Sequence, residues 1–207
     1  MILEACVETL EEALKAEARG ANRIELCADL HVGGTTPSYA LLQSVRDRLP
    51  IPIMVMIRPR GGNFIYNNKE LKMMKQAIDI CKSLNVAGVV LGVLDNHNNI
   101  NTRDTATLAA HAAPLDVTFH KAIDDTVDLI KSVEELKNIK GITRILSSGG
   151  KPTAFEGAEC INEMINKAGN VLKILAAGRI TKENLAEISG ILNTDEFHGR
   201  RIVGDLY

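Results

Sequence analysis

The 207-residue chain reads as an α/β protein, a TIM-like (β/α)8 barrel, on three observations. Short strand-like apolar runs recur eight times, at 2–5, 23–26, 53–57, 88–93, 117–119, 144–146, 171–175 and 196–198. Their starts lie 21, 30, 35, 29, 27, 27 and 25 residues apart with a helix-length segment in each gap, the rhythm of alternating strands and helices. The first run leads into Cys6-Val-Glu-Thr9 and not into a glycine-rich phosphate loop, which disfavours a doubly wound open sheet. Strands spaced this way must pair in parallel through right-handed crossovers, and eight such units close on themselves. The barrel is expected to occupy residues 1–207 as one domain.

The intervening segments carry helix signals. Thr9 and Glu12 form a capping box opening a helix at 10–19, and Thr153 with Glu156 form another opening 154–168. Thr36-Pro37 offers a cap and a proline at the first helical position, ahead of Leu41, Leu42, Val45 and Leu49. Leu71, Met74, Ile78 and Cys81 form a one-sided stripe, as do Leu129, Ile130, Val133 and Leu136. Thr181 is placed to cap 182–192, with Leu185 and Ile188 inward. The chain stops soon after the eighth run, so the last helix is expected to be short or missing.

Composition excludes several partners. The chain is 45% hydrophobic, enough for a sizeable core, and 24 basic against 26 acidic residues leave a net charge of −2 with no block of one sign. Three Tyr, four Phe and no Trp provide no stacking platform for nucleic acid. No uncharged run reaches transmembrane length, and no basic-then-apolar leader opens the chain, so a cytoplasmic, membrane-free protein is expected. Cys6, Cys27, Cys81 and Cys160 should then be reduced, and their spacing suits neither a disulfide framework nor a zinc finger. A homodimer or higher homo-oligomer is the expected assembly.

In such barrels the strand-to-helix loops build the active site, so polar residues at strand ends are candidates. Alternate strand residues share a face, which pairs Glu4 with Cys6 and Glu25 with Cys27 on adjacent strands about 4.8 Å apart. Two carboxylates and two thiols should therefore meet. Val55-Met-Ile-Arg58-Pro-Arg60-Gly-Gly ends a strand with two guanidiniums suited to a carboxylate or phosphate. Arg58 can also neutralise Glu25, which leaves Arg60 as the better ligand contact. His120 follows the fifth strand as an acid, base or ligand; Asp124 either orients it or caps the next helix. Gly178 sits where barrels hold phosphate, and His198 closes beside the first strand.

Glu4-Ala-Cys6, Arg23-Ile-Glu25-Leu-Cys27, Gly33-Gly34-Thr-x-Pro37-Ser38, Val55-Met-Ile-Arg58-Pro-Arg60-Gly-Gly, Val117-Thr-Phe-His120 and Glu196-Phe-His198 together resemble the CutC family, in order and spacing, from the first strand to the last. The resemblance implies a TIM-barrel-like fold, a cytoplasmic location, an assignment to copper homeostasis, and metal handling at Cys6 and Cys27. Lys121 replaces the family's usual Arg, and only Gly178 remains of its Pro/Gly-rich seventh loop. Two functions stand at this point. One is Cu(I) held by the paired thiols, a soft ion on soft ligands. The other is an enzyme acting on a small anionic metabolite, carboxylated or phosphorylated. In that enzyme Glu4 and Glu25 would be the acid/base pair, His120 would polarise the substrate, and Arg58, Arg60 and Lys121 would bind the anion.

Overall fold

The computed structural model describes residues 1–206. Eight parallel strands, β1 (Ile2–Val7), β2 (Arg23–Leu26), β3 (Ile53–Met56), β4 (Gly88–Leu91), β5 (Asp116–Phe119), β6 (Ile142–Ser147), β7 (Lys173–Ala176) and β8 (Glu196–Gly199), pair in chain order, and β8 returns to β1 to close the barrel. Seven helices surround it: α1 (Leu10–Ala18), α2 (Tyr39–Arg46), α3 (Asn68–Ser83), α4 (Thr102–Ala112), α5 (Leu129–Lys137), α6 (Ala158–Ala168) and α7 (Leu185–Ile191). No eighth helix follows β8 among the described residues; Arg201, Ile202 and Gly204 form only isolated bridges.

The Thr9–Glu12 capping box forms as the spacing predicts. Three other helix starts differ. Thr36 accepts from the Arg58 amide at 2.8 Å, tying the loop after β2 to β3, and Ser38 caps α2 instead. Thr153 and Glu156 do bond reciprocally, but across a turn, and α6 begins only at Ala158. Thr181 donates its amide to Asn184 in a turn, so α7 starts at Leu185. At Thr153 and Thr181 a local side-chain bond closes a turn before the helix begins, whereas Thr36 is taken by a neighbouring strand end.

Strands buried on both faces divide their side chains between two cores. Outward residues such as Val7, Leu26, Val55, Leu91, Phe119 and Phe197 pack against the helices. Inward ones stack in layers, each from alternate strands. Register places Arg23, Gly88, Arg144 and Glu196 at the bottom, then Glu4, Met54, Thr118 and Leu175. Gly88 is glycine because a Cβ there would stand 2.6 Å from the Asp116 carbonyl and 2.4 Å from the Met54 methyl. The next layers upward hold Glu25, Val90, Leu146 and His198, then Cys6, Met56, His120 and Ala177.

The bottom is an ionic floor. The Arg23 Nε donates to Glu4, and its other arm reaches Glu196 Oε2 at 2.6 Å. Arg144 Nε lies 2.9 Å from the same carboxylate oxygen, off the hydrogen-bond direction, so it contributes charge and not a directed bond. Arg23, Glu4 and Glu196 are buried, and removing one partner of a buried pair leaves an uncompensated charge, which is strongly destabilising. Arg23→Met should lower unfolding stability by about 3–5 kcal/mol in urea at pH 7, because two carboxylates would lose their shared cation. A loss under about 1 kcal/mol would show that the floor is solvated and not a closed layer.

Candidate metal and ligand site

The thiols meet at the mouth. Cys6 ends on the inward face of β1, and Cys27 follows β2, where its amide donates to the Val7 carbonyl at 2.9 Å. Their sulfurs lie 3.9 Å apart, and one carboxylate oxygen of Glu25 joins them so that all three donor atoms fall within 4.8 Å of one another. All three residues are buried. Met54, Met56, Val90 and Leu30 pack around the thiols, so the surroundings are apolar and rich in sulfur.

Barrel stagger changes the expected carboxylate pair. Cys6 is level with Glu25 across the strands, whereas Glu4 is level with Arg23. Glu4 therefore lies below the cavity, occupied by Arg23 and by His198 Nδ1 at 2.9 Å. The other nitrogen of His198 lies 3.7 Å from Glu25 Oε2. The two glutamates are separated by an imidazole, and Glu4 is not part of the cavity wall. An acid/base pair of Glu4 with Glu25 is thereby overturned.

The charges follow from the neighbours. Burial alone would raise Glu4, but the His198 bond and the Arg23 charge bring it down to about 2. Burial opposes protonation of His198, yet its bonds to Cys6 and Glu4 and the nearby Glu25 hold it well above its ordinary value, so it is an imidazolium at neutral pH. The hydrogen bond from Cys27, aided by His198, draws the Cys6 thiol down to about 5. Cys27, as donor to Cys6, is pushed up, and burial beside the Cys6 charge pushes Glu25 up. At neutral pH the site therefore sets a Cys6 thiolate beside the His198 imidazolium, with Cys27 and Glu25 both shifted toward their protonated forms.

A cavity of ≈ 160 Å³ opens over these groups, walled also by Met56, Arg58, Phe64, His120, Lys121 and Leu146. His120 Nδ1 accepts from the Ala122 amide at 3.2 Å, so in the neutral ring the proton sits on Nε2, which is buried with no partner. Burial and the nearby Arg58 charge lower His120 to about 3. Glu25 Oε1 and Arg58 Nε are likewise buried and unpartnered.

The two arginines of the third strand end are mostly spent on the loops. Arg58 grips the carbonyls of Val32 and Gly34, both at 3.0 Å, and of Gly62 at 2.7 Å, and lies over the Phe64 ring at 4.7 Å. It makes no ion pair with Glu25, so its neutralising role is overturned, although its Nε stays at the cavity wall. Arg60 turns away altogether. It bonds Glu70 at 2.6 Å and the carbonyls of Asn63 and Ile65, and stacks at 5.3 Å on Tyr66. A ligand role for Arg60 is overturned, since loop carbonyls and a helix-start carboxylate consume its donors.

Asp124 neither orients His120 nor caps α5, which Asp128 caps. It accepts from Lys121 Nζ at 2.5 Å, from the Ser147 and Ser148 hydroxyls, and from the Ser148 and Gly150 amides. It thus fills the anion nest formed by the loop after β6. Lys121 is held by Asp124 and Ser148 but still borders the cavity. Gly178 is glycine for packing: at φ +107°, a Cβ would stand 2.7 Å from the Ala154 amide, which donates to its carbonyl. Met56, Phe64 and Leu30 complete the cavity and were not singled out in the sequence; the alternation of Met54 and Met56 into the thiol layer was the available signal.

Fold and site define a class: a closed (β/α)8 barrel whose mouth holds a buried dithiol and carboxyl. The family model for the CutC family matches residues 1–203, and the chain belongs to that family. The human protein named copper homeostasis protein cutC homolog is 40% identical over 197 residues, covering 95% of this chain and 72% of that one. The mouse homologue of the same name matches equally, at 40% over 197 residues. A crystal structure titled putative copper homeostasis protein CutC from Streptococcus agalactiae superposes with a TM-score of 0.92 at 35% identity, covering 98% of this chain and 99% of that chain. A putative dihydrodipicolinate synthetase from Pseudomonas aeruginosa, at TM-score 0.63 and 9% identity, shares the fold alone. Among the described residues, no helix is long and apolar enough to cross a membrane.

The His120 environment has a pH signature. Its folded value, about 3, lies below the ordinary 6.5, so below pH 6.5 the unfolded chain takes up a proton that the folded chain refuses. This withdraws stability as pH falls. Between about pH 6.5 and pH 5, His120→Gln should lose about 1–2 kcal/mol less than the wild type, measured by urea unfolding at each pH. Equal slopes would mean that His120 protonates in place.

Proposed function

We propose that the protein holds Cu(I) between Cys6 and Cys27 as part of copper homeostasis. The single observation that carries this reading is the buried pair of sulfurs 3.9 Å apart with a carboxyl beside them. Metal–thiolate bonds run about 2.3 Å, as in zinc sites, so both sulfurs can reach one ion. Soft thiolates in a dry, methionine-lined wall suit Cu(I) better than harder divalent ions. The names of the human and mouse relatives support the copper assignment.

The donor set also explains the proton inventory. Cys6 is already a thiolate beside His198, and only Cys27 must lose a proton for both sulfurs to bind. Loading therefore releases that proton, and affinity rises with pH. Four free cysteines support a reducing, cytoplasmic setting, where thiols persist. Anaerobic Cu(I) titration against a chromophoric chelator should give one tight equivalent per chain. The Cys6→Ser, Cys27→Ser double variant should bind on the order of a hundredfold more weakly or not at all. Unchanged binding in that variant ends the proposal.

A second reading has its own observation. His120, Arg58 and Glu25 line one cavity, and each has a buried polar atom without a partner, which buried polar atoms normally find. They suit an oxygen-bearing head group of a small anionic metabolite, with His198 and Glu25 replacing the overturned glutamate pair. A thermal-shift screen of carboxylated and phosphorylated metabolites tests it. No stabilisation by any of them, with Glu25→Gln behaving as wild type, excludes it.

A further inference from the structure

A second, larger cavity adjoins the thiol cavity at the mouth. Its volume is ≈ 630 Å³, within the range of about 300–1,000 Å³ typical of small-molecule sites, whereas the thiol cavity falls below it. The two share Cys6, Leu30, Lys121 and His198 as walls. The larger one is built from the loops after β7 and β8, the usual anion end of such barrels.

Its charge is one-sided. Arg179, Arg200, Arg201 and Lys121 line it together with His198, and no Asp or Glu does. A chain of net charge −2 has no general excess of cations to place there. Two of the four are committed elsewhere: Arg200 pairs with Glu8 at 3.0 Å, and Lys121 with Asp124 at 2.5 Å. Among the described residues, Arg179 makes no ion pair and Arg201 none within 4.0 Å, although Arg201 lies close enough to Glu183 to lower that carboxyl.

The backbone at Arg179 is the independent observation. Its φ is +55°, in the left-handed region that disfavours a β-carbon, directly after Gly178 at +107°. The turn is pinned, because Asn184 donates to the Arg179 carbonyl at 3.0 Å and accepts from the Thr181 amide at 2.8 Å. Glycine would meet this conformation at no cost, yet the position carries an arginine at the cavity wall. The pinned turn fixes Arg179, an exposed residue, at the cavity wall.

We infer that the β7–β8 vestibule binds a small multiply charged anion, carboxylate or phosphate, through Arg179 and Arg201, with its inner end at Cys6. The vestibule adds Arg179 and Arg201 to the Lys121 and His198 charge that the two cavities share, and the anion it retains stands beside whatever occupies the thiols. The inference does not depend on copper: Cys6 borders the site, but the two arginines hold the ligand.

The test is isothermal titration of the full chain with citrate and with inorganic pyrophosphate at physiological salt. Saturable binding of one or both is expected, and the tighter probe names carboxylate or phosphate as the class. Arg179→Gln with Arg201→Gln should weaken it by about tenfold or more. Arg179→Gly relieves the strained turn, so it should keep or raise the melting temperature while still weakening the anion. The double arginine variant should still take up Cu(I) as the wild type does, which separates this site from the copper proposal. Arg46→Gln, at a pocket formed by helix-to-strand loops, should be silent toward the anion. Absence of saturable binding to both probes, or equal affinity in the double arginine variant, overturns the inference.

Discussion

The Glu4 carboxylate is the interaction on which the rest of this barrel depends. It accepts from Arg23 on one side and from His198 on the other, and so joins two regions of opposite character. Below it, Arg23, Glu196 and Arg144 form a closed set of charges; above it, His198 faces Glu25 and the thiols. Ionised Glu4 joins Cys6 in holding His198 protonated, and His198 aids the Cys27 hydrogen bond in lowering the Cys6 thiol. A residue that never borders the cavity thus contributes to the charge state of the mouth.

This arrangement settles a conflict in the donor set. A carboxylate beside a thiol ordinarily opposes thiolate formation through like-charge repulsion. Here burial and the Cys6 charge push the Glu25 carboxyl well above its ordinary range, which favours its neutral form beside the sulfurs. The cavity then presents one anion and one cation, with the remaining walls apolar or capped. Arg58, which was expected to supply the balancing charge, is fixed by three carbonyls and serves to shape the loops after β2 and β3.

Much of the fold was legible because strand and helix periods differ and eight units recurred. The pairing of Glu4 with Cys6, and of Glu25 with Cys27, on inward faces also followed from alternation alone. What was not legible was stagger. A two-residue offset between β1 and β2 puts Glu25 beside Cys6 and sends Glu4 to Arg23, and no single strand encodes its neighbour's height. Arg60 and Asp124 illustrate a second limit. Both were correctly placed at the mouth by chain position, but Glu70, ten residues on, captures one, and Ser147, Ser148 and Gly150 capture the other. Charged side chains in loops go to the nearest unsatisfied backbone, and that depends on how the loop folds. Helix starts were misjudged for the same reason at Thr36, Thr153 and Thr181.

Asp124 in the Ser148–Gly150 nest has one more consequence. A covalently tethered carboxylate competes at an effective concentration on the order of millimolar or above, so a free phosphate arriving at that loop would meet a resident rival. The rival is also neutralised in place by Lys121, which deepens its hold. The nest after β6 is thus filled by the chain's own carboxylate, whereas no acidic side chain lines the cavity beside the loop after β7.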